Sequence, residues 1–141
     1  MVELPLSLRY KSLRETAVYS HIFVGSNDLD RSRTFYDAIF ATIGATPGFI
    51  NAKGALVYMH NGNVFVVTRP VNGEPATPAN GGTIGFSMES PEQADAWHAA
   101  GVAAGGTSVE DPPGVRHSHS GDIYLAYLRD PDGNKLCGVH R

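Results

Sequence analysis

"AVYSHIFVGS", residues 17–26, alternates apolar and polar positions and is rich in β-formers, which predicts a strand. The period then lengthens. Leu29, Ser32, Tyr36, Ile39, Phe40 and Ile43 recur three and four residues apart, which predicts a helix with one core-facing side. Asp28 stands just ahead as its N-cap, and the helix is expected to reach 41–43. "GALVYMHNGNVFVVT" returns to alternation. Its two β-rich runs flank Asn61-Gly62, a pair that suits a type I′ hairpin turn, with His60 exposed beside it. "RPVNGEPATPANGG" then breaks every period with proline and glycine and reads as a linker.

The second half repeats this order. "GGTIGFSM" reads as a strand, and "SPEQADAWHAAGVAA" as a helix. Ser90 caps it, Pro91 suits its first position, and Gln93 completes a capping box. "GGTSVEDPPGVRHSHSGD" reads as loop with at most a short strand. "IYLAYLRDPDGNKLCGVHR" reads as a second hairpin turning through 130–134. A shift of 62 positions lays His21 on Thr83, Ile22 on Ile84, Phe35 on Trp97 and Ala41 on Ala103 without a gap. A shift of 71 lays "GNVFV" from Gly62 over "GNKLC" from Gly133. The expected organisation is therefore an N-terminal extension (1–17), a first βαβββ module (18–70), a linker (71–81) and a second βαβββ module (82–141). Neither copy can bury its sheet alone. The predicted fold is α+β, with the two modules forming a curved mixed sheet around a shared cavity.

Strand alternation nominates the residues that face this cavity. Ile22 and Val24 belong under the helices, which turns His21, Phe23 and Gly25 inward. Leu136 is helix-side, so Cys137 and Val139 face the cavity, with Tyr127 beside Cys137 and Leu128 beside Leu136. The repeat then makes His21, Val66, Thr83 and Cys137 four equivalent positions.

Composition narrows the function classes. Of 141 residues, 42% are hydrophobic and 18% charged, enough interior for one folded domain. The net charge is -3 with no basic stripe, which argues against nucleic acid as a partner. A single cysteine excludes an internal disulfide framework and a CxxC zinc site, and it fits a reducing compartment. "MVELPLSLRYKSLRET" holds no long apolar run, so neither a signal peptide nor a membrane span is expected, and the expected setting is the cytoplasm.

"HIFVGSNDLDRSRTFYDAIF" resembles the opening H-x-x-x-x-x-x-D-x-x-x-[AS]-x-x-F-Y pattern of the vicinal oxygen chelate superfamily. That superfamily includes glyoxalase I, bleomycin-resistance proteins and extradiol dioxygenases. "YLAYLRDPDGNKLCGV" resembles its closing F-x-D-P-D-G-N-x-[IL]-E pattern, and the stretch from Ala96 to Tyr127 is similar to a glyoxalase-like subgroup. The resemblance covers roughly 18–140. It implies a divalent metal (zinc, nickel, manganese or iron) acting as a Lewis acid on adjacent substrate oxygens. It also implies ligands at the four equivalent positions: a first-strand His, a fifth-strand His and a last-strand Glu in the related subgroup. Here His21 keeps the pattern, while Thr83, Cys137 and Val66 depart from it. The resemblance further implies a homodimer, and treats 130–134 as a structural turn.

Two functions follow. One is a small-molecule binder with a degenerate metal site and non-standard or no catalysis. The other is a divalent-metal-dependent lyase, lactoylglutathione-lyase-like, or a dioxygenase, with His21 and Cys137 as candidate ligands. The expected ligand-contacting residues are His21, Phe23, Leu56, Val66 and Thr83 from the first half and its boundary. Arg116, His117, His119, Tyr127 and Cys137 complete the set. His21 reads as a pocket histidine bonding substrate or water, or as a ligand. Cys137 reads as a small buried hydrophobe, a ligand, or a nucleophile with His21 as base. His117 and His119 would share a face on a strand, and they read as a loop over the cavity mouth, as substrate contacts, or as an unusual metal site with His21.

Overall fold

The computed structural model describes residues 17–141, so all but the last residue of the expected extension lies outside the described residues. Strand β1 (Ile22–Gly25) leads into helix α1 (Leu29–Ala41). The Asp28 carboxylate accepts the Arg31 N–H at 3.1 Å, satisfying one of the helix's free donors. β2 (Phe49–Ile50), β3 (Leu56–His60) and β4 (Asn63–Thr68) complete a four-stranded sheet in the order β1-β4-β3-β2. β1 runs parallel to β4, and β3 antiparallel to it. His60 opposes Asn63, so Asn61-Gly62 is the whole turn, and both residues take positive φ (49° and 80°). These are the values a type I′ hairpin requires.

The second half holds β5 (Ile84–Ser87), α2 (Pro91–Ala103), β6 (Thr107–Ser108), β7 (Gly114–Ser118), β8 (Gly121–Arg129) and β9 (Lys135–His140). Its sheet runs β5-β9-β8-β6, with β7 also paired to β8. The bounds of α1 shifted by 62 positions are the bounds of α2. Ile22 pairs with Phe65 and Ile84 with Leu136, which reproduces both shifts, 62 and 71, in the hydrogen-bonding register. Ser90 Oγ accepts the Gln93 backbone N–H at 3.0 Å, while the Gln93 side-chain Oε1 accepts the Glu89 N–H at 2.8 Å.

Residues 105–122 depart from the expected loop. They form β6 and β7, and β7 makes a tight hairpin with β8 through His119-Ser120. β9 ends opposite Tyr124, so Gly121–Ile123 pair with β7 alone and the hairpin tip is a two-stranded ribbon. Polar "HSHSGD" carries no alternation, and backbone pairing rather than side-chain burial shapes it.

The helix-facing sides of both sheets share one core. Phe35, Tyr36, Ile39, Leu56, Val67, Trp97, Leu128 and Leu136 are all fully buried in it. Phe35 lies off the predicted α1 stripe, yet it is buried because α1 packs against both its own sheet and α2. The two modules are also pinned by the turn at 130–134. Asn134 donates to the Gly25 carbonyl at 3.1 Å, and Asp132 accepts from the Asn27 N–H and Arg31, each at 2.9 Å. Tyr36 donates to buried Asp130 at 2.6 Å. Asn27 also clamps the linker through both sides of Ala76. The result is a mixed α+β fold of two open, curved sheets. No helix among the described residues is long and apolar enough to cross a membrane.

Candidate functional site

Each sheet turns its other face away from this core. On the first sheet, register lines up Phe23, Val66, Val57 and Phe49 as an apolar row across four strands. Phe23, Phe49 and, one row along, Met59 are 58%, 50% and 59% exposed. The equivalent row on the second sheet is Gly85, Cys137 and Tyr127. Tyr127 carries Lys135 over its ring at 4.8 Å, and Lys135 is ion-paired with Glu110. Burial is the main cause that pushes the Cys137 thiol up, outweighing the Tyr127 hydrogen bond that lowers it. Cys137 is therefore a protonated thiol at neutral pH, and the nucleophile reading has no activating base to support it.

His21 stands one residue ahead of β1, exposed, as Thr83 stands ahead of β5. Its Nδ1 lies 2.9 Å from Ser20 Oγ, and its ring meets Phe23 edge-on at 5.4 Å. Of the expected lining residues, Phe23, Val66, Tyr127 and Cys137 share the outward faces. Leu56 does not. It opposes Val67 and is fully buried in the helix-side core, because strand alternation puts it on the other face from Val57. The "HSH" histidines do not share a face either. His117 is a strand residue bonded to Asp122 at 2.7 Å, with the same strand parity as Tyr124, whose hydroxyl reaches Asp95 on α2. His119 sits in the turn. Arg116 has the outward parity, but one of its guanidinium nitrogens donates to the carbonyls of Asp111 and Pro112 at 3.0 Å each, holding its own loop.

The four repeat-equivalent positions thus offer an imidazole, an isopropyl group, a hydroxyl and a buried protonated thiol. No group of three or more His, Cys, Asp or Glu side chains gathers at metal-binding spacing among the described residues. That donor set does not fit the tightly held divalent ion the family resemblance implies, for which three protein ligands are usual.

Sequence reasoning missed a second feature, on the helix side. A cleft of about 450 Å³ opens between the β3–β4 turn and the β5–α2 junction, with His21 at its rim. His60, expected in solvent, lines it with Asn61, Asn63, Glu89 and Gln93.

A βαβββ module paired with a second half that carries one more strand, with helices inward and two outward sheet faces, defines the class of this protein. The chain belongs to the Glyoxalase/Bleomycin resistance protein/Dioxygenase superfamily, whose family model matches residues 18–137. It is similar to the crystal structure of a glyoxalase/bleomycin resistance protein from Albidiferax ferrireducens T118. The two are 53% identical, with a TM-score of 0.85 over 89% of this chain and all of that one. It shares its fold with a glyoxalase-related enzyme from Fulvimarina pelagi (22% identity, TM-score 0.67, 89% of each chain). It does so too with lactoylglutathione lyase from Agrobacterium tumefaciens (19% identity, TM-score 0.60, 89% of this chain and 95% of that one). Among curated proteins, none matches the sequence.

Proposed function

We propose that this protein is a small-molecule binder of the superfamily, holding an organic ligand on its outward sheet faces without a tightly bound metal. The donor set carries this reading. Val66 and Cys137, both buried, stand opposite Phe23 and Tyr127, so apolar and aromatic groups occupy the positions at which the family resemblance implies metal ligands. Such a surface suits an aromatic or drug-like molecule, with Tyr127 and His21 as the groups that orient it. A second copy of the chain completes the site by covering the exposed Phe23, Phe49 and Met59. The cytoplasm suits the unpaired Cys137.

Elemental analysis of untagged protein, purified without chelator, tests the reading. The expected result is far less than one divalent metal per chain, and ligand-induced thermal stabilisation that survives added chelator. One metal per chain, lost in His21→Ala, would instead establish the metal-dependent reading and overturn this one.

A further inference from the structure

The internal repeat makes a demand that only one half of the molecule meets. In the second module, the Asp130–Asn134 turn fills the gap against the first module's β1–α1 junction, bonding Gly25, Asn27 and Arg31. Shifting those three receivers by 62 positions gives Ser87, Glu89 and Gln93. These three form one wall of the 450 Å³ cleft. The opposite wall is His60, Asn61 and Asn63, the first module's counterpart of the 130–134 turn.

This counterpart is too short and has the wrong chemistry to fill the gap. Met59 opposes Val64 across four residues, whereas Arg129 opposes Lys135 across five. It carries no carboxylate. Asn63 spends its amide on the carbonyls of His60 and Asn61, and Asn61 bonds the His60 ring, so the turn satisfies itself. The Glu89 N–H, which corresponds to the Asn27 N–H held by Asp132, is taken by Gln93. Among the described residues, the cleft is the space that the missing plug leaves open.

Its floor is aromatic. Phe40 packs against Tyr58 at 4.8 Å and against Phe86 at 5.4 Å between ring centroids. No lysine or arginine lines it among the described residues, and Glu89 is its one formal charge. Its volume falls in the range of small-ligand pockets. Rings favour a flat or cationic guest, and a lone carboxylate selects positive charge. We propose that this cleft is a second binding site, for a small flat aromatic cation. It opens mainly on the helix side and meets the outward faces only at its rim, where His21, Gly85 and Ser87 line it, and Glu89, which no outward face uses, tells this site apart from the proposed function.

Equilibrium fluorescence titration of the full chain at mildly alkaline pH tests it, with proflavine as the cationic probe and an anthracene carboxylate as the anionic one. The expected result is one saturable proflavine site per chain and no anion binding. Glu89→Gln weakens it by about fivefold, the scale of one exposed charge pair. Ser87→Trp, an exposed position, blocks the cleft and abolishes it, while Phe49→Ala, on the outward face and outside the cleft lining, leaves it unchanged. Absence of a saturable site, equal binding of the anion, indifference to both cleft variants, or loss in Phe49→Ala would each overturn the proposal.

Discussion

Tyr36 ties the two modules together through one proton. It is fully buried, and its hydroxyl donates to Asp130 at 2.6 Å. Burial first, then the Asp130 charge, push its pKa well above the ordinary 10.0. Below about pH 10 both folded and unfolded chains keep this proton, and its contribution to stability is complete. Above that, the unfolded chain ionises while the folded one does not, and stability falls as pH rises. Tyr58, raised by burial and its bond to Asp37, acts in the same direction. Tyr36→Phe is therefore expected to lower stability at neutral pH by about 1–3 kcal/mol, as Asp130 loses a donor in a buried setting. It should also flatten the alkaline decline, without abolishing it because Tyr58 remains. Urea unfolding at a series of pH values from neutral to strongly alkaline reads both effects. An unchanged alkaline slope would show that the Tyr36 proton does not carry the effect.

Between elements, helix α2 approaches the core closely because Gly101 has no side chain. A Cβ there would run into Leu128 Cδ1 and come within 3.2 Å of Ile39 and 3.3 Å of Phe35. Two effects oppose each other in Gly101→Ala. Helix propensity favours alanine by about 0.8–1 kcal/mol. Overpacking a close contact costs about 1–3 kcal/mol. Overpacking dominates, since three side chains from α1 and β8 crowd the same point. The expected outcome is a lower midpoint in denaturant with an unchanged slope; a gain in stability would mean that α2 slides outward freely. Much at this scale was legible in the chain. Asp28 and Ser90 cap their helices, the Asn61-Gly62 turn sets the first hairpin register, and the shift of 62 carries one helix onto the other. β6 and β7 were not legible, because a ribbon held by backbone bonds needs no apolar pattern. Leu56 was misplaced by a single step of strand parity. The cleft escaped notice because it arises from a contact that one turn fails to make, which shows only when both modules are docked.

At the scale of the whole molecule, the proposed second copy would dock on the outward faces. A four-stranded face about 19 Å wide and 17 Å long offers about 300 Å². A stable interface needs about 800 Å² per partner, so one face alone falls short. Using both outward faces, first module against the partner's second, would double this to about 600 Å², and the β7–β8 ribbon would have to supply the remainder. It also buries Phe23, Phe49 and Met59, which otherwise leave an apolar patch on the first sheet. Phe23 sits at the β1 edge of its apolar row, where an added charge meets the partner's face and little of its own core. Phe23→Glu is expected to convert a dimer at micromolar concentration into a monomer whose own fold is intact, read by sedimentation velocity together with circular dichroism. A wild-type chain that sediments as a monomer at the highest soluble concentration would sink the two-copy site, and would leave each outward face to bind its ligand alone.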